Sequence, residues 1–175
     1  MTWSQWHARS VAQYALISVG LTSGLGAIAC SILATRGGES EVLHFEVLQG
    51  PRKKRDVPQH KRYRAHMLMF EAFFDRWPPG VIALGPPASP SEPIEWIIFM
   101  RTAMFELGKS VGVPVLCYED AGSIARALGI QSHTRTGLRE LIQQRLPMFT
   151  SNKPRNILSM ASAMAGAAKI EATRL

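Results

Sequence analysis

ALISVGLTSGLGAIACSIL, residues 15–33, lies inside a run from Ser10 to Thr35 that carries no charged side chain. A stretch this apolar has to be buried, either in protein or in lipid. About 20 apolar residues suffice to span a bilayer as a helix, so length alone leaves both readings open. Composition separates them. Gly20, Gly24 and Gly26 each cost a helix about 1 kcal/mol relative to Ala, and Thr22-Ser23 would place two hydroxyls at mid-span. The Gly20/Gly24 spacing does fit a membrane dimer motif, and Ala27-Ile28-Ala29 before Cys30 resembles a lipoprotein cleavage site behind Arg9. A hairpin accounts for more of the residues. Ala15–Gly20 is then one strand, Leu21–Gly24 the turn and Leu25–Leu33 a second strand. On this reading no membrane partner is expected.

The chain's 175 residues suit a single domain with its own core. The sequence divides into an N-terminal extension, residues 1–13, and one domain, residues 14–175. Cys30 and Cys117 both fall in apolar, strand-like runs, so they read as free thiols of a reducing compartment, cytoplasmic or nucleoid-associated. Net charge is +7 with a pI near 9.9, and it is concentrated. Arg52, Lys53, Lys54, Arg55, Lys61, Arg62 and Arg64 face only Asp56, so 13 residues hold +6 of the total. A thinner patch runs through Arg135, Arg139, Arg145, Lys153 and Arg155, offset by Glu140. Charge runs are commonly solvated faces. One this localised is also the electrostatic footprint of a polyanion binder.

After the hairpin, Glu41–Gln49 alternates as a third strand, with Val42, His44, Glu46 and Leu48 on one face and Leu43, Phe45 and Val47 on the other. Gln59–Trp77 has helical spacing of Tyr63, Met67, Phe70 and Phe74, and Pro78-Pro79-Gly80 stops it. Val81–Leu84 is a short apolar run suited to a strand covered on both faces. The proline-rich residues 85–93 form a loop, and Ile94–Val111 a second helix. Val113–Tyr118 is another strand. Ala121–Leu128, Thr136–Leu146 and Pro154–Arg174 are helices. Such alternation implies an α/β fold, a mixed sheet of about five strands with helices on its faces. Trp77, Trp96 and the methionines fit core packing. His44, His66 and His133 lack ligand spacing, and no glycine-rich phosphate loop is present.

Element order and local sequence together resemble one family. Ile17–Gly24 (ISVGLTSG) with the following LGAIACSIL resembles the opening hairpin of RuvC-type Holliday-junction resolvases, which have an RNase H-like fold. Val81–Gly85 (VIALG) resembles their valine-alanine-isoleucine-glutamate strand. Gly112–Tyr118 with Ser123–Leu128 resembles a later strand and helix, and Arg155–Ala168 the closing helix. The resemblance covers roughly residues 14–170. It implies phosphodiester hydrolysis with Mg²⁺ held by four carboxylates. On the same resemblance those positions fall on Ser18, Gly85, Asn156 and Ser159, all neutral here.

The function expected from the sequence is therefore a RuvC-like pseudonuclease that is no enzyme and holds no cofactor, its Mg²⁺ site lost. It would bind nucleic acid, DNA in preference to RNA and branched or structured forms included, through Arg52–Arg55, Lys61, Arg62, Arg64, Arg135, Arg139, Lys153 and Arg155. The resemblance implies a homodimer. Two alternatives stay open. One is a structural subunit of a larger nucleoprotein assembly. The other is an active metal-dependent resolvase using Glu46 or Glu119, although Glu119 and Asp120 also suit the N-terminus of the helix that follows.

Overall fold

A computed structural model describes residues 16–24, 27–50 and 58–173. The apolar stretch is a hairpin. Strands β1 (Leu16–Gly24) and β2 (Ala27–Arg36) pair antiparallel along their whole length, and β3 (Glu39–Gln49) pairs antiparallel with β2. Helix α1 (Gln59–Arg76) leads to β4 (Val81–Leu84), parallel to β1, and α2 (Ile94–Val111) to β5 (Val115–Cys117), parallel to β4. Helices α3 (Ala121–Ala127), α4 (Arg135–Arg145) and α5 (Pro154–Thr173) follow, and the sheet order is β3-β2-β1-β4-β5. Among the described residues no helix is long and apolar enough to cross a membrane.

The sheet separates two cores. Odd-numbered β1 residues (Ile17, Val19, Leu21) join Ile28, Cys30, Ile32, Ile82 and Leu84 against Phe70, Phe73 and Phe74 of α1 and Met100 and Met104 of α2. The other face carries α5, covered in turn by α3 and α4 through Ile124, Leu138, Ile142, Leu158, Met160 and Met164. That face is lined with small residues, which lets α5 come very close. A Cβ on Gly20 would lie 2.6 Å from Ala163 N and nearer still to Ser159 O. Residues Asn156 to Ala167 of α5 are consequently all buried. Their Ala-Ser-Met composition is what a helix enclosed on all sides requires.

Besides shifts of a few residues at element ends, two features depart from the sequence-based expectation. Leu21–Gly24 is strand, not turn: Leu21, Thr22, Ser23 and Gly24 pair with Cys30, Ala29, Ile28 and Ala27. Turn-forming residue types are tolerated there because the neighbouring strand and α5 over-determine the backbone. In β3 the strict alternation breaks at a bulge, where Ile32 faces His44 but Leu33 faces Val42, leaving Leu43 over. The extra residue reverses the side-chain phase, so Val42 and Phe45 pack on the α5 side while Leu43 and Leu48 pack on the other. Residues 1–13 and Arg174 of the expected final helix lie outside the described residues.

Candidate functional site

Because β1, β4 and β5 are mutually parallel, their last residues, Gly24, Leu84 and Cys117, come to one end of the sheet. The last residue of antiparallel β3, Gln49, lies at that end too, opposite Ala27. α2 and α3 each follow a strand that ends there. The first turn of α5 also arrives at this end, where Arg155 donates to the Gly24 carbonyl at 3.3 Å. Several helix N-termini and four strand C-termini converge, the usual place for a ligand on an open α/β sheet.

The four positions that the resemblance equates with metal ligands do not converge. Ser18 pairs with Val81, four residues before Gly85, or about 13 Å along a strand. It is fully buried and donates to the Ala163 carbonyl at 2.5 Å. Ser159 is also fully buried; it donates to the Gly20 carbonyl at 2.8 Å and shares a hydrogen bond with Ser31 Oγ at 2.8 Å. These two hydroxyls hold α5 onto the sheet. Asn156 is turned toward Ser151, donating to its hydroxyl at 2.8 Å. What faces Gly85 is a different pair. A Cβ there would lie 2.6 Å from Ser162 Oγ and closer to Thr22 Oγ1. Both hydroxyls are buried without a partner. The resemblance assigns no ligand position to Thr22 or Ser162, and only the docking of α5 places them together.

A cleft opens beside this point, lined by Leu21, Ser23, Leu84, Gly85, Met100, Arg101, Cys117 and Tyr118, among others. Arg101 bridges to Glu119 at 2.7 Å, and that carboxylate holds the guanidinium charged even more firmly than usual. Burial pushes the Tyr118 phenol up to about 12 and also raises the Cys117 thiol. Asp120 accepts from Ser123 N at 2.6 Å as the cap of α3, and this holds its carboxyl below the usual range. Glu46 bonds Arg76 and lies 3.6 Å from His44, on β3. Thr22 and Ser162 offer neutral oxygens only, while Mg²⁺ calls for carboxylates. The donors around Gly85 therefore do not fit a pair of magnesium ions. Among the described residues no three His, Cys, Asp or Glu side chains group to hold a metal ion.

The basic residues fall on several elements. Lys61 and Arg64 are exposed and Arg62 half-buried in the first turns of α1, whose His66 packs on Gly50. Arg52, Lys53, Lys54 and Arg55 lie outside the described residues. Exposed Lys153 and half-buried Arg155 stand at the start of α5, and exposed Arg135 and half-buried Arg139 on α4. Tyr63 stacks on Phe99, with ring centroids 4.1 Å apart, and Trp96 packs on His66 at 4.6 Å, so these rings fill the seam between α1 and α2. Trp77 stacks on His44 at 5.0 Å.

Architecture of this kind is found in solved structures. Thermus thermophilus RuvC superposes with a TM-score of 0.74 at 16% identity, over 90% of this chain and 97% of that one. The chain has the RuvC fold. The T. thermophilus RuvC in complex with a Holliday junction substrate gives 0.70 at 16% identity, over 90% of this chain and 96% of that one. The yeast mitochondrial Holliday junction resolvase gives 0.57 at 13% identity, over 95% and 89%. No protein-family model and no curated protein matches the sequence.

These neighbours correct the expectation that the chain is no enzyme, because proteins sharing its RuvC fold over nine-tenths of its length include resolvases. The physical basis of that expectation also weakens. It rested on four neutral positions forming one site, and the structure does not bring those four together.

Proposed function

We propose that this chain binds branched DNA at the strand-terminus end of its RuvC fold. The observation that carries the reading is the superposition, over 90% of the chain, on a RuvC in complex with a Holliday junction substrate. Charge supports it. The sequence from Arg52 to Arg64 holds +6, and Arg155 sits against the end of β1. In this reading Arg52, Lys53, Lys54, Arg55, Lys61, Arg62, Arg64, Lys153 and Arg155 neutralise phosphates, with Arg135 and Arg139 extending the track, and positioning comes from backbone contacts. DNA is favoured over RNA because the structural neighbour in complex holds a Holliday junction substrate.

A homodimer completes the reading. Ile94, Ile98 and Phe105 of α2 and Leu68 of α1 are 67%, 58%, 49% and 58% exposed, an apolar surface suited to a second copy.

A gel shift with a four-way DNA junction, a matched linear duplex and an RNA control tests the proposal. Binding to the junction should be about tenfold tighter than to duplex and should weaken steeply between about 50 and 300 mM salt. Equal affinity for junction and duplex would overturn the branch preference, and salt-independent binding the phosphate mechanism. Lanes with Mg²⁺ or Mn²⁺ read cleavage directly. Sedimentation of the free chain reads the dimer. A chain that leaves all three substrates unbound but copurifies with one protein would instead be an assembly subunit.

A further inference from the structure

The connection between α4 and α5 makes a tight turn with an unusual tip. Phe149 N donates to Leu146 O at 2.9 Å, closing a four-residue turn whose central residues are Pro147 and Met148. Both flanks are buried. Leu146 is 4% and Phe149 8% exposed, and Phe149 packs edge-on against Phe45 of β3 with centroids 5.4 Å apart. Leu146 N in turn bonds Ile142 O at 2.7 Å. Two buried anchors thus thrust the tip outward, and Pro147 stiffens it. The third position of such a turn ordinarily takes Gly, Asn, Asp or Ser. Here it is Met148, 90% exposed.

This methionine is separate from the apolar surface of α1 and α2, which lies across the sheet. Its neighbours along the chain are basic: Arg145 before it and Lys153 after it are exposed, with no acidic residue between Arg145 and Arg155. Positive surroundings disfavour a basic partner and favour a polyanion. Apolar side chains carried to DNA between phosphate-binding residues insert where bases unstack. We propose that Met148 is a wedge that enters the unstacked bases of branched DNA, Pro147 backing it and Arg145 and Lys153 holding the flanking phosphates. The proposal rests on the DNA-binding reading above and adds to it the residue that recognises unstacking.

The test uses the full chain, its M148S and M148L variants, and a four-way junction carrying 2-aminopurine next to the branch, beside a linear duplex with the same label. Because Met148 is exposed, both variants should melt with the wild-type protein. M148S is expected to bind the junction about tenfold more weakly, to lose the fluorescence rise of the branch-point label, and to bind duplex unchanged; M148L should restore both. Wild-type binding with an M148S variant that matches it in affinity and fluorescence would overturn the wedge alone. A wild-type chain that leaves the junction unbound would overturn the DNA-binding reading, and the wedge with it.

Discussion

Gly20→Ala is the sharpest perturbation of this fold. The added Cβ would lie 2.6 Å from Ala163 N, closer to Ser159 O and 2.9 Å from Ala163 Cβ. Two of the three are backbone atoms, so no rotamer change relieves the clash. Ordinary contact begins at 3.4 Å, and α5 must therefore back off by about 0.8 Å along the line to Ala163 N and by more along the line to Ser159 O. Overpacking of this kind costs about 1–3 kcal/mol. The same movement loosens the Ser159–Gly20, Ser159–Ser31 and Ser18–Ala163 hydrogen bonds, each worth about 1 kcal/mol. A loss of about 2.5–4.5 kcal/mol follows if half of that bonding fails, enough to lower the melting temperature by about 5–18 °C in a chain of this size. Urea unfolding and a thermal melt measure it. Gly37→Ala is the comparison, with φ of +59° but nothing within 4 Å, and it should cost about 1–2 kcal/mol from backbone strain alone. A Gly20→Ala protein no less stable than the Gly37→Ala one would refute the close-packing argument.

The remaining expectations concern buried polar groups. Ser159→Ala should cost about 1–3 kcal/mol by leaving Ser31 Oγ buried and unpaired, and adding Ser31→Ala should cost less than the two single changes together; strict additivity in a double-mutant cycle would contradict the shared hydrogen bond. His66 is buried against Trp96, Phe99 and Gly50. Burial chiefly, and the Arg62 charge, lower its pKa, against the opposing bond to the Arg62 carbonyl. The unfolded state then holds the proton more tightly, so the imidazole's contribution is fully present above pH 6.5 and is lost as pH falls through the lower folded value. Denaturation midpoints between about pH 7.5 and 5 should drop in the wild-type chain and flatten in His66→Phe; identical slopes would exclude His66 as the cause. Cys30 is fully buried with its thiol pushed up mainly by burial. A thiol reagent should therefore modify at most Cys117 in the native protein and both cysteines in urea, and fast labelling of both in the native state would contradict the packing of β2.

The sequence by itself determined the elements and their kinds. Glycines and a Thr-Ser pair made residues 15–33 poor helix, Pro78-Pro79-Gly80 ended α1, and Val81–Leu84 was short and apolar enough to be only a covered strand. Those are local signals, carried by residues within one turn or a few pleats of each other. The mixed sheet with helices on its faces followed from their order. Charge concentration in residues 52–64 was equally plain.

What the tertiary structure decided is what each small residue is for. Ser18 and Ser159 look like empty ligand positions when the chain is laid beside a family pattern. Folded, Ser18 and Ala163, 145 residues apart, and Gly20 and Ser159, 139 apart, form the contact that lets α5 sink onto the sheet. Thr22, Gly85 and Ser162 meet for the same reason, and the bulge at Leu43 appears only when β3 is paired with β2. No period along the chain encodes these meetings. They depend on how closely one helix can approach one strand, which is set by the side chains absent from both.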